Sequence, residues 1–65
     1  MDERLLIWFE YQHLPEHLQN ASKPFCDLAT SIAQTIAPGP ERTVALRKLL
    51  EAKDAAVRAV LKPGG

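Results

Sequence analysis

From Glu41 to Leu61 the chain runs twenty-one residues without a proline or glycine, directly after the stop Ala37-Pro38-Gly39-Pro40. Proline and glycine are the strongest local punctuators, so a breaker-rich tetrapeptide followed by a breaker-free run spells a tight connection and then a helix. Two apolar stripes lie on that helix. Leu46, Leu49, Leu50, Val57, Val60 and Leu61 form a large-residue face, and Ala45, Ala52, Ala56 and Ala59 recur on a neighbouring one. A two-helix hairpin offers this helix one internal partner only. An apolar arc this wide therefore predicts a second chain on the alanine side, where small residues let helices approach closely.

The rest of the chain supplies that internal partner. Leu18, Phe25, Leu28, Ala29, Ile32 and Ile36 keep helical phase and predict a second helix over 15–36. Pro24 falls inside it and must either kink the helix or force a restart with Ser22 as N-cap; both remain open from sequence. Pro15 pushes Leu14 out of the helical region, so the segment from Tyr11 reads as an extended, polar and aromatic loop. Asp2, Glu3 and the apolar run Leu5-Leu6-Ile7-Trp8-Phe9 predict a short N-terminal helix over 1–10. Those apolar residues are too continuous to face one core, so some are expected to meet another subunit. The tail 62–65 reads as frayed. The expected architecture is all-α: a short N-terminal helix followed by an antiparallel helical hairpin, one domain, assembling into an oligomer.

Size points the same way. A chain of 65 residues, 46% hydrophobic, is too short for two domains and too apolar for a disordered tail. Domains this small bury only about 60% of their unfolded surface and commonly need a disulfide, a metal or a partner chain. Cys26 is the only cysteine, which excludes an internal disulfide and any multi-thiolate zinc site and fits a reducing compartment. Eight Lys and Arg balance eight Asp and Glu. With no surplus of cations, a DNA or RNA polymer is not the expected ligand. No run approaches the length of a membrane span or a signal-peptide core, so a cytoplasmic protein with no membrane partner is expected.

Catalytic constellations are sparse. His13-Leu14-Pro15-Glu16-His17 matches the H-x-x-E-H pattern of inverted zinc peptidases. That chemistry needs both histidines on one continuous helical face, and Pro15 makes His13 a pre-helical residue. No glycine-rich phosphate loop exists, because the glycines are Gly39, Gly64 and Gly65. Cys26, next to Phe25, reads as a small core filler. Lys53 with Asp54, and Glu51 with Arg58, read as solvated helix-face partners. No enzyme, no cofactor and no metal are expected. What remains is an aromatic and polar concentration at Phe9, Tyr11, His13 and Pro15, with Lys23 further on, the combination of stacking surface and cation that a base-plus-phosphate ligand uses.

Several of these residues carry a family resemblance. Phe9-Glu10-Tyr11 with His13 and Pro15, Leu28-Ala29 with Ile32, and above all Glu41-Arg42-Thr43-Val44-Ala45-Leu46-Arg47-Lys48-Leu49-Leu50-Glu51-Ala52 resemble the hairpin domain of small phage proteins, the anti-CBASS and anti-Thoeris sponges. The resemblance spans about 9–62. It implies a helical protomer that assembles into a hexamer and sequesters cyclic nucleotide signals of bacterial immunity without cleaving them. It also implies a pocket between protomers in which Tyr11 stacks on a base of a cyclic dinucleotide and Lys23 meets the phosphates. A second site, for cyclic trinucleotides, would use Lys62 and Arg58. The chain departs from the family at Gln12 and Leu14, which interrupt the tyrosine-histidine-proline spacing, and at Ala55-Ala56-Val57, where the family often carries Trp-Ala-Asn. The hairpin could accordingly serve another cyclic nucleotide or a cyclic ADP-ribose isomer. The competing expectation is a non-enzymatic helical-hairpin oligomer whose apolar patches bind a host or phage protein.

Overall fold

A computed structural model of the chain describes residues 4–64. They are all-helical: a 3-10 helix Arg4–Phe9, then α1, Glu16–Thr35, then α2, Pro40–Leu61. The two long helices pack on each other as a hairpin, and the 3-10 helix packs on both. Asp2 and Glu3, expected as cap and acidic first turn, lie outside the described residues.

The N-terminal element differs in kind from the ordinary helix expected over 1–10. A three-residue repeat stacks Leu6 directly under Phe9, which concentrates the apolar contact on one edge. Phe9 is fully buried and Leu5 and Leu6 pack against it, whereas Ile7 and Trp8 are 60% and 61% exposed. So continuous an apolar run could not all be buried by one small hairpin, and Ile7 and Trp8, two of its five residues, are not.

The loop that follows is a tight turn more than an extended run. The Leu14 amide donates to the Tyr11 carbonyl at 3.0 Å. Pro15, with φ −54° and ψ 151°, flanks α1 and offers its carbonyl to the amides of Leu18 and Gln19. Gln19 then reaches back: its Nε2 donates to the carbonyls of Leu14 at 2.8 Å and Gln12 at 3.3 Å. Past this point α1 continues unbroken through Pro24, and Ser22 is a fully buried helix-interior residue with no hydrogen-bond partner for its hydroxyl. The restart with Ser22 as cap does not occur. Pro24 costs the Asn20 carbonyl its helical donor, but Asn20 is exposed and water can replace the bond, while Leu18 and Ala29 anchor the helix on either side.

Pro40 also differs from expectation. It does not end the connection but opens α2 as its first residue, where its missing N–H is an orphan in any helix and its fixed φ is already helical. The amide and hydroxyl of Thr43 both donate to the Gly39 carbonyl, at 3.1 and 3.3 Å. One turn in, the nearly buried Arg42 donates from Nη1 to the carbonyls of Ala33 at 3.2 Å and Ile36 at 2.9 Å. A guanidinium from the start of α2 thus satisfies carbonyls that the end of α1 leaves open, and it closes the hairpin.

The core is small. Phe9, Ala29 and Leu46 are fully buried and form its centre, with Phe25, Cys26, Ile32, Leu49 and Leu50 half-buried around them. The chain exposes 4618 Å², against roughly 4,100 Å² for a compact monomer of its mass. Its radius of gyration, 12.3 Å, exceeds the roughly 11 Å of a compact domain of this length. This is a flat, elongated hairpin, 36 × 22 × 15 Å, in which much of each helix remains at the surface.

Candidate functional site

The strongest polar constellation lies where the Tyr11–Leu14 turn meets one flank of α1. Helical spacing puts Gln19, Lys23 and Cys26 along that flank. Gln19 holds the turn by the two carbonyl contacts already described, which sets Tyr11 near Lys23. The Lys23 ammonium donates to Asp27 Oδ2 at 2.8 Å, one turn further on, with both side chains more than half exposed. The Asp27 hydrogen bond, and then its charge, hold the Lys23 ammonium above its usual 10.5; Tyr11 acts in the same direction, desolvation opposes it, and Cys26 contributes least. Lys23 is therefore a cation throughout the physiological range, already engaged by an acid that an anionic ligand would have to displace. Tyr11 is half-buried.

The other residues singled out from sequence are dispersed. Phe9 is fully buried at the core centre, so its ring has no surface free for stacking in this conformation. His13 is exposed in the turn and His17 is exposed in the first turn of α1, on the far side of the extended Pro15. Among the described residues no group of three or more His, Cys, Asp or Glu could hold a metal ion. Arg58 and Lys62 are exposed at the end of α2. Ala29 and Leu46 meet in the core. Counting about 1.5 Å per residue from that level, Lys62 lies roughly 15 Å further along the hairpin than Lys23. A single protomer thus does not bring Lys23 and Lys62 around one small ligand, and no pocket is formed among the described residues of one chain.

Two residues that matter here, Asp27 and Gln19, were not singled out from sequence, and a third, Lys53, has a further role besides the one expected. Asp27 has the i, i+4 spacing to Lys23 that makes helix ion pairs, and that spacing is legible in sequence. Gln19 carries no comparable signal. Lys53, read as a solvated partner of Asp54, does lie 3.8 Å from it, but its side chain is only 14% exposed. Its ammonium donates to the Trp8 carbonyl at 2.9 Å, across 45 residues of sequence, and so ties the N-terminal helix to α2. Glu51 is 3.9 Å from Lys48.

Comparison with family models, with curated proteins and with solved structures finds no match in any of the three. Among the described residues no helix is long and apolar enough to cross a membrane.

Proposed function

We propose that this chain binds and sequesters cyclic oligonucleotide or related nucleotide second messengers of bacterial anti-phage immunity, without cleaving them, as a homo-oligomer that the family resemblance sets at six copies. What supports the reading is a half-buried Tyr11 whose hydroxyl is within electrostatic reach of the exposed Lys23 ammonium. An aromatic face takes a nucleobase and a neighbouring cation takes a phosphate, and neither step needs an acid, a base or a metal. The site is open on one protomer, so enclosure of a ligand calls for a second copy against it. Arg58 and Lys62, distant from Lys23, would serve a separate ligand position.

Isothermal titration with a panel of cyclic di- and trinucleotides and cyclic ADP-ribose isomers tests this directly: heat with at least one member supports sequestration, and silence across the panel overturns it. For a bound dinucleotide, Tyr11→Ala should weaken affinity by about 1–3 kcal/mol through lost stacking. Recovery of the ligand intact after release distinguishes capture from hydrolysis.

One observation favours the competing reading of a protein-binding hairpin. Ile7 and Trp8 are adjacent, both about three-fifths exposed, on the N-terminal helix whose Phe9 is fully buried. Tryptophan is enriched among the residues that anchor protein interfaces. A stoichiometric polypeptide partner lost on Trp8→Ala, with no small-molecule binding, would establish that function instead.

A further inference from the structure

Among the described residues, the N-terminal segment lies across one broad face of the hairpin. Gln19 holds the Gln12 and Leu14 carbonyls on its own flank of α1. Three residues of extended chain, about 10–11 Å, separate Phe9 from Gln12, too little to pass around a helix to the other side. The 3-10 helix therefore shares the flank of Gln19 and Lys23, and the segment leaves bare the face that carries Leu28, Ala45 and Ala52. Its level along the hairpin is fixed as well. Ala29 and Leu46 meet in the core, so in an antiparallel pair Ser22, seven residues before Ala29, and Lys53, seven after Leu46, share one layer. The Lys53 ammonium donates to the Trp8 carbonyl at 2.9 Å, which sets Trp8 beside that layer, and Lys23 follows Ser22 in α1. Packed helices lie about 8–10 Å apart, so the Trp8 backbone and Lys23 are separated by the order of one helix spacing on the same face.

The same segment sorts its aromatics by depth. Phe9 is fully buried, Trp8 just before it is 61% exposed, and Tyr11 beyond it is half-buried. Trp8 and Tyr11 are three residues apart, so no more than about 10–11 Å separates their Cα atoms. We propose that Trp8 is a second base-stacking residue of the Tyr11 and Lys23 site, in the role for which Phe9 is too deeply buried, and that the site accordingly selects a cyclic dinucleotide over a ligand with one base, such as a cyclic ADP-ribose isomer. The proposal rests on the nucleotide reading above and narrows it. An indole carries a broad π-face, and every base can stack on one. The backbone that carries it is held before a ligand arrives, by Phe9 in the core and by Lys53 at the Trp8 carbonyl, so less ordering is left to oppose binding. One aromatic orients one base. Two aromatics on one face, with a cation at their level, match two bases and the phosphate charge that joins them, whereas a one-base ligand uses only part of that surface.

Titration of the full chain with cyclic dinucleotides of adenine and guanine, and with the matching cyclic mononucleotides as one-base controls, is the test. The wild type should prefer a dinucleotide, and because Trp8 is the only tryptophan, its fluorescence should be quenched as the base stacks on it. Trp8→Ala should weaken that dinucleotide about 5- to 150-fold, the worth of one base stack, and should remove most of its advantage over the mononucleotide. Trp8→Phe keeps a ring and should restore most of the affinity, whereas Trp8→Leu keeps apolar bulk without a π-face and should behave as Trp8→Ala does. The side chain is mostly exposed, so circular dichroism should show helix retained in all three; if Trp8→Ala unfolds, the contrast between Trp8→Phe and Trp8→Leu decides. A dinucleotide bound as tightly by Trp8→Ala or Trp8→Leu as by the wild type overturns the proposal, as does binding that leaves the fluorescence unchanged. Tyr11→Ala separates the two levels: if it weakens the dinucleotide while Trp8→Ala does not, nucleotide capture stands and the role of Trp8 falls, whereas silence of the wild type toward every nucleotide overturns both.

Discussion

The two faces of the hairpin are built from the same two helices and behave oppositely. On the covered face, Phe9 caps Ala29 and Leu46, Lys53 pins Trp8 and Gln19 pins the turn, so apolar burial and directed hydrogen bonds act together. On the opposite face, Leu28 remains half exposed, and Ala45 and Ala52 lie at the surface. The contrast teaches how so short a chain divides its residues. Among the described residues, the 3-10 helix Arg4–Phe9 closes one side of the core.

The comparison can be broken most sharply at Phe9. Phe9→Ala removes the largest fully buried side chain and should cost about 3–5 kcal/mol, enough to abolish cooperative unfolding in a domain whose whole stability is of the order of 5 kcal/mol. Leu28→Ala, on the bare face, should cost the isolated protomer less than about 1 kcal/mol, because half of its surface is already in water. Equal losses at the two sites, measured by denaturant titration at low protein concentration, would erase the asymmetry.

A smaller effect is expected at the clamp. Lys53→Met keeps the apolar stem and removes the bond to Trp8, for about 1 kcal/mol. Hydrogen exchange should show protection lost across Leu5–Phe9 with α1 and α2 little changed, and Trp8, the only tryptophan, reports the same event by fluorescence. Uniform loss of protection would mean the 3-10 helix is not a separable clamp. Ser22 lies in the seam between the faces, with its hydroxyl buried and unpartnered. Ser22→Ala should therefore be neutral or stabilising by up to about 1 kcal/mol, since it removes a desolvated polar group that gains nothing. A clear destabilisation would show that the hydroxyl has a partner in solution. The least effect on stability is expected at Asp27, whose pairing with Lys23 is exposed. Asp27→Asn should leave the thermal midpoint unchanged and strengthen binding of an anionic nucleotide, because the lysine no longer has to exchange one acid for another. Weaker binding would assign Asp27 itself to ligand recognition.

Much of the helical content was legible because helices are local. The Pro38-Gly39-Pro40 stop and the breaker-free run after it mark α2, and the spacing of Leu18, Phe25, Ala29 and Ile32 marks α1. Where local rules compete, they failed to decide. Pro24 could end a helix or be absorbed by one, and burial on both sides of it settles the matter; Pro40 could close a turn or open a helix, and it opens one. The candidate site was legible in its residue types, an aromatic near a lysine, but not in its arrangement. Nothing about Phe9 and Tyr11 as neighbours in sequence says that one ring is the centre of the core and the other lies at the surface.

The sequence by itself determined the two long helices, the connection between them and the excess of apolar surface, since each depends on residues within a few positions or on composition. Tertiary structure alone decided that Arg42 would satisfy the end of the preceding helix, that Lys53 would hold Trp8 from 45 residues away, and that Gln19 would commit the N-terminal segment to one face. Those choices are made by long-range geometry. A polar side chain on a helix carries the same local signal whether it meets water or a distant carbonyl, and only the packing of the three elements tells the two apart.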